Sequence, residues 1–180
     1  MNLGFEGLGF TTRMLRSRRA QAVDYGLREA CLIFERRLRA RGITLETRIA
    51  TMPLLPFDTG AIRGVLFNLL NNAQQACGAG AVIRVTARLS DDGTAFVFGV
   101  HDTGPGMTPE VLAQCTQLFF TTKRMGSGIG LALCRSAVEK SHGRLEIRSV
   151  VGEGTCIDVT LPLSLPKITQ GVHHESGRAN

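Results

Sequence analysis

The segment 102–131 concentrates groups suited to cradling a phosphate chain. Asp102-Thr103-Gly104-Pro105-Gly106-Met107 opens it, Phe119-Phe120-Thr121-Thr122-Lys123 follows, and Gly126-Ser127-Gly128-Ile129-Gly130-Leu131 closes it. Glycine has no β-carbon, so main-chain N–H groups in such clusters approach anionic oxygens without obstruction. The second cluster leads directly into Leu131-Ala132-Leu133-Cys134-Arg135-Ser136-Ala137-Val138, a helical pattern. Its glycines are therefore expected at a helix N-terminus, where free N–H groups and the helix dipole favour an anion. In outline this is a nucleotide site.

A second set of candidates lies upstream, in a helical segment expected over residues 59–76. It carries Asn68, Asn71 and Asn72, although asparagine is a mediocre helix residue. Asn68 and Asn72 are four apart and share a face, with Gln75 on the next turn. Amide oxygens pointing the same way can hold a metal ion and its phosphate-bound waters. Amides that cap loops or face solvent would give the same pattern, and the residues alone leave both readings open.

The elements that must position these groups are legible in order. Val23, Leu27, Ala30, Cys31, Phe34 and Leu38 recur at helical spacing, with Gly42 as the stop. Residues 43–49 alternate as a short strand with one wet face. Asp58 then stands as a helix cap before the asparagine-bearing helix. Residues 81–89 form a strand, Asp91-Asp92-Gly93 a turn, and residues 95–100 the returning strand that delivers His101-Asp102 to the first glycine cluster. Thr108-Pro109 reads as a helix start, and 107–126 as a lid over a ligand. A helix over 129–141 stopping at Gly143, then strands over 145–148 and 156–161, complete the pattern.

Strands arriving mainly as hairpins predict an α+β fold: a two-layer α/β sandwich whose mixed, mostly antiparallel sheet carries helices on one face. A dinucleotide-binding fold is disfavoured because its glycine fingerprint should follow the first strand. The P-loop pattern G-x-x-x-x-G-K-[ST] is absent.

Composition narrows the class further. The chain's 180 residues suffice for one domain with a real core, and 43% hydrophobic content argues against disorder over most of it. Five widely separated cysteines, with no C-x-x-C pair, read as reduced thiols of a cytoplasmic protein and argue against a structural metal site. No apolar run approaches the ~20 residues that cross a bilayer. The whole net charge of +6 resides in residues 13–48, where ten arginines face Asp24, Glu29, Glu35 and Glu46. Without interleaved aromatics or a recognition motif, this flank reads as a solvated helix face or a surface for an acidic protein rather than a nucleic-acid site.

Four segments in fixed order resemble one family, the catalytic ATP-binding domain of sensor histidine kinases, in the superfamily shared with type II topoisomerase, mismatch-repair and heat-shock chaperone ATPases. Residues 66–76 look like its N box, 102–107 like its first glycine box, 118–123 like its F box and 126–131 like its second glycine box. Gly152-Glu153-Gly154-Thr155 and a strand ending Leu161-Pro162 match the usual close of the domain. The resemblance runs from about Val23 to Pro162. It implies a Bergerat-type ATP-binding fold over residues 23–162, with 1–22 a flank that includes a possible stub of a dimerisation-domain helix and 163–180 a loose tail.

The resemblance also implies roles. Asp102 would accept a hydrogen bond from the adenine amino group, helped by Gly104 and Thr155 through a water, a role compatible with Asp102 also forming an Asx-type turn. Asn72 would ligate Mg2+, with Asn68 and Gln75 beside it and Ala76 near the base. Gly106 and Met107 would belong to the ATP-binding set. Thr121, Thr122 and Lys123 would reach the phosphates from the lid, and Gly126, Ser127, Gly128, Ile129, Gly130 and Leu131 would wrap them. His101 reads as structural.

In the topoisomerase and chaperone branch a water-activating glutamate stands four residues before the magnesium asparagine. Asn68 holds that place here, and an amide is no general base near neutral pH. That favours a kinase over an ATPase, with ATP presented to an outside nucleophile. Of the four histidines, His101, His142, His173 and His174, none sits in an acceptor motif ahead of Val23. The expected partners are thus a histidine-bearing dimerisation domain, in the same longer polypeptide or another chain, and, indirectly, a response regulator. The chain as given is expected to be monomeric. A nucleotide-dependent regulatory module that transfers no phosphate is the alternative. The F box and the Thr-Thr-Lys run count against an anti-sigma-factor-like serine kinase.

Overall fold

The computed structural model describes residues 22–122 and 126–164. The expected flank as far as residue 21, Lys123, and the expected tail beyond residue 164 lie outside the described residues. The elements are α1 (Val23–Arg39), β1 (Thr44–Ile49), α2 (Thr59–Ala76), β2 (Val82–Leu89), β3 (Ala95–Asp102), α3 (Pro109–Gln114), α4 (Gly130–Lys140), β4 (Arg144–Val150) and β5 (Gly154–Pro162).

The five strands form one sheet in the order β1-β2-β3-β5-β4. β1 and β2 run parallel, because α2 and its loops carry the chain back between them; the other three pairings are antiparallel. Alternation decides which face is covered. Ile83, Val85 and Ala87 of β2, Phe96, Phe98 and Val100 of β3, and Ile157, Val159 and Leu161 of β5 are buried. The intervening Arg84, Thr86, His101, Cys156 and Asp158 are not. The helices pack on that apolar face, as expected for a two-layer sandwich.

α1 buries the expected stripe Val23, Leu27, Ala30, Cys31, Phe34 and Leu38, and the Phe34 ring meets Phe67 of α2 edge-on at 4.7 Å between centroids. Arg28 donates from α1 to the carbonyl of Ile49, tying the helix to the end of β1. Burying each such side chain contributes roughly 1.5–3 kcal/mol, so these contacts set how α2 lies on the sheet. Asp58 caps α2 by accepting from the N–H groups of Gly60 and Ala61, at 2.9 and 3.4 Å.

Three boundaries differ from the sequence reading. β3 runs on through His101 and Asp102, which pair with Cys156 and Thr155 of β5. β4 and β5 extend to meet around a tight turn at 151–153, with Gly152 at φ +83°. At the end of α4 the left-handed residue is His142, at φ +54°, not Gly143. Gly143 is needed for a different reason: a β-carbon there would meet Thr160 O at 2.6 Å and Val138 Cγ1 at 3.1 Å, so the bare backbone lets the chain pass close to β5.

Candidate nucleotide site

α2, the ends of β3 and β5, the first glycine loop, α3 and the N-terminus of α4 enclose a cleft of about 610 Å³. Its walls bring together residues the chain separates widely: Asn68, Asn72, Gln75 and Ala76 from α2, Asp102 from β3, and Thr155 from β5. Gly106, Met107, Thr121, Thr122, Gly126, Ser127, Gly128, Gly130 and Leu131 complete the expected set on its lining. Gly104 and Ile129 do not line it. Gly104 is turned to Asp102, donating its N–H to Oδ1 at 2.9 Å, and Ile129 is the N-cap of α4. Lys123 lies outside the described residues.

At one end, α4 begins at Gly130 with no side-chain hydrogen bond capping its first turn among the described residues. A β-carbon built on Gly130 would lie 3.7 Å from Asn68 Oδ1 and 3.9 Å from Asn72 Nδ2. The amides of α2 and the open N-terminus of α4 therefore face the same space. Asn68 is oriented by its own helix, its Nδ2 donating to Gly64 O at 3.3 Å, which leaves the amide oxygen on the Gly130 side. No group of three or more histidine, cysteine or acidic side chains is placed to hold a metal among the described residues.

The other end is built round Asp102. Its Oδ1 closes an Asx turn on Gly104, and the Thr155 N–H and the Cys77 thiol stand beside its carboxylate as further donors. Burial pushes the Asp102 carboxyl up, and these hydrogen bonds pull against that shift. The β4–β5 turn clamps the loop: Gly152 N–H donates to Pro105 O at 2.8 Å, and Met107 N–H to Ser149 Oγ at 2.9 Å. Ser149 is held in turn by Gly154 O and Thr155 Oγ1, both at 2.9 Å. Gly106, at φ +68°, runs so near Val150 that a β-carbon would overlap its carbonyl.

Between the ends lies the lid. Thr108 caps α3 through the Val111 N–H, and Arg135 reaches from α4 to Thr116 Oγ1 at 2.7 Å. Phe119 sits at φ +66° with its N–H on Gly128 O, joining the Phe-Phe-Thr segment to the second glycine cluster.

Asn71, Val111, Cys115 and Phe120 also line the cleft and escaped the sequence reading. Asn71 was legible as a third helical asparagine but sits a quarter-turn from the Asn68 face; the other three depend on how the lid folds back. His101 points to the open face of the sheet, its Nε2 2.7 Å from Asp158 Oδ1. A second hollow, of about 540 Å³ between α4 and the edge strand β4, is lined by Arg135, Arg144 and Arg148. Each of these arginines is already paired with a carboxylate, so this hollow offers no comparable set of open donors.

Residues 57–165 match the family model described as histidine kinase-, DNA gyrase B-, and HSP90-like ATPase. Among curated proteins, the chain is 35% identical over 117 residues to the sensor histidine kinase ZraS of Escherichia coli O157:H7, covering 65% of this chain and 25% of that one. It is 34% identical over 152 residues to the non-motile and phage-resistance protein of Caulobacter vibrioides, covering 79% and 18%. The chain thus spans a quarter or less of the length of these relatives. Among solved structures, the catalytic domain of histidine kinase ThkA superposes with a TM-score of 0.71 at 26% identity, covering 79% of this chain and 93% of that one. Full-length ShkA in complex with AMPPNP gives 0.72 at 26%, covering 82% and 31%.

Proposed function

Starting from the fact that the chain belongs to the histidine kinase-, DNA gyrase B- and HSP90-like ATPase family, we propose that it is the catalytic ATP-binding domain of a sensor histidine kinase. In this reading it binds Mg-ATP and presents the γ-phosphoryl to a histidine on a dimerisation domain that is not part of this chain. The observation that carries it is the single cleft joining Asp102 at one end to Asn68, Asn72 and the N-terminus of α4 at the other. ShkA, similar over most of this chain, was solved with the ATP analogue AMPPNP, which supports the same ligand class here.

Asp102 is an acceptor held in place by protein donors, and an adenine amino group is a matching donor. Gly126 to Leu131 and the first turn of α4 supply N–H groups for the phosphates. Thr121 and Thr122 add hydroxyls, and Lys123 a charge. The α2 amides fit Mg2+, a hard cation that takes neutral oxygen ligands together with phosphate oxygens. Asn72 would hold it, with Asn68 and Gln75 beside it; when bound, the ion neutralises charge on the phosphate chain.

Phosphoryl transfer needs positioning and charge neutralisation more than chemical groups from the protein. Asn68 provides no base for activating water, so the bound nucleotide is spared rapid hydrolysis. The nucleophile is the acceptor histidine nitrogen. A P–N bond forms to the γ-phosphorus as its bond to the bridging oxygen of ADP breaks. The phosphohistidine would then serve a response regulator.

The test supplies a purified dimerisation domain carrying its histidine and follows label from γ-labelled ATP. Label on that histidine, lost with Asn72→Ala or Asp102→Ala, is expected. Tight nucleotide binding without transfer to any cognate acceptor would replace the kinase with a regulatory binding module.

A further inference from the structure

The Asp102 carboxylate accepts the Gly104 N–H at 2.9 Å and faces two further donors from other parts of the chain, the Thr155 N–H and the Cys77 thiol. An ionised carboxylate offers about four acceptor positions. The Gly104 N–H takes one of them, the Thr155 N–H and the Cys77 thiol stand beside the others, and room is left for a ligand N–H. Cys77 is the C-cap of α2, 2% exposed, and its own N–H is spent on Ala73 O. A β-carbon at Gly104 would lie 2.8 Å from Asp102 Oδ1 and 3.3 Å from Cys77 Sγ. The bare glycine is what lets carboxylate and sulfur sit side by side.

The state of the sulfur follows from its surroundings. Burial, reinforced by the Asp102 charge and by the hydrogen bond to Asp102, pushes the Cys77 thiol up to about 11. Near neutral pH it is a neutral S–H, a donor with one proton and no role as a nucleophile. Arg41 fixes the strand of chain that carries it, donating to Gln74 O at 2.5 Å and to Cys77 O at 3.4 Å.

We infer that Cys77 is a positioning residue for base recognition. Its thiol donates to Asp102, favours the ionised carboxylate against the desolvation that opposes it, and turns the remaining acceptor position towards the exocyclic amino group of the base. This rests on the reading of Asp102 as the adenine acceptor. Packing alone would place a small side chain at 77, but it would not orient a carboxylate. The other titratable groups around Asp102 are His101 beside it on β3 and Cys156 on β5, with Arg41 behind Cys77. None of them occupies the acceptor position that the thiol takes.

The test compares ATP with purine riboside triphosphate, which lacks the amino group, binding to the full chain and to Cys77→Ala, Cys77→Val and Cys77→Ser. Dissociation constants are measured near neutral pH and along an acid series, with a melting temperature for each variant. The wild type should prefer ATP. Alanine and valine should each reduce that preference about fivefold, the effect of one weak donor on a charged acceptor. Losing the donor raises the Asp102 pKa further, so ATP binding should fail at higher pH in both variants as the solution is acidified. Serine, which keeps a donor, should restore the preference and the acid limb even if it melts lower. Unchanged preference and acid limb in alanine and valine, with a discriminating wild type, would overturn this role for Cys77 and leave the adenine reading standing. Serine behaving as valine does would also overturn it. A wild type without preference for ATP would overturn both.

Discussion

Gly154 lies against Asp102 so closely that a β-carbon on it would overlap the Asp102 carbonyl oxygen and approach Thr103 Cα to 3.0 Å. The same glycine holds φ +113°, a region other residues rarely enter. The first residue of β5 thus sets the height at which the Asp102 carboxylate leaves the sheet. Gly154→Ala is expected to destabilise the fold by about 2 kcal/mol or more, read as a lower urea midpoint. Nucleotide affinity should fall further than the lost stability explains, because the backbone of Asp102 has to move.

Asn72→Ala separates the metal from the rest of the site. If Asn72 holds Mg2+ with the phosphates, the variant should bind ATP about 10- to 100-fold more weakly when magnesium is present. With the metal chelated it should match the wild type. Calorimetric titrations in magnesium and in chelator decide this, and an equal loss in both would assign Asn72 to packing or direct nucleotide contact.

Phe119 combines a bulky side chain, φ +66° and 75% exposure. The described fold gains little from the ring and bears the cost of a left-handed backbone. Phe119→Gly is therefore expected to raise the unfolding free energy by about 0.5–1 kcal/mol in denaturant melts, while Gly128→Ala, whose β-carbon would overlap the Phe119 backbone, lowers it.

Local signals carried much of this architecture. α2 was legible because an Asp58 cap and an apolar stripe both act within its own sequence. The mixed sheet followed from alternation and from the Asp91-Asp92-Gly93 turn. What stayed hidden depends on distant pairing. β3 reaches Asp102 only because Thr155 is there to bond it, and nothing near residue 102 announces that partner. Cys77 reads only as one of five scattered thiols until β3 brings Asp102 beside it. Asn71 falls off the helical face defined by Asn68 and Asn72, yet the cleft is broad enough to touch it.

On the open face of the sheet, Asp158 Oδ1 stands 2.7 Å from His101 Nε2, and its Oδ2 stands 2.6 Å from Arg148 Nη2. Gly99 leaves the space, since a β-carbon there would overlap Asp158. The His101 hydrogen bond, ahead of the charges of His101 and Arg148, holds the Asp158 carboxyl below the ordinary aspartate range. A carboxylate with a depressed folded pKa contributes stability that is fully present above its unfolded value, about 3.9, and is lost as pH falls through the folded value. Asp102 acts with the opposite sign, because burial raises it and acid relieves that penalty. Asp158→Asn should therefore cost about 1 kcal/mol near neutral pH, less than the roughly 1.5–3 kcal/mol of a hydrogen bond to a fully buried charge because this face is partly wet. The difference from wild type should close as the solution is taken below about pH 4. Urea midpoints of the two proteins along a pH series test this, and a gap that persists undiminished into acid would show that Asp158 stabilises the sheet through its shape rather than its charge.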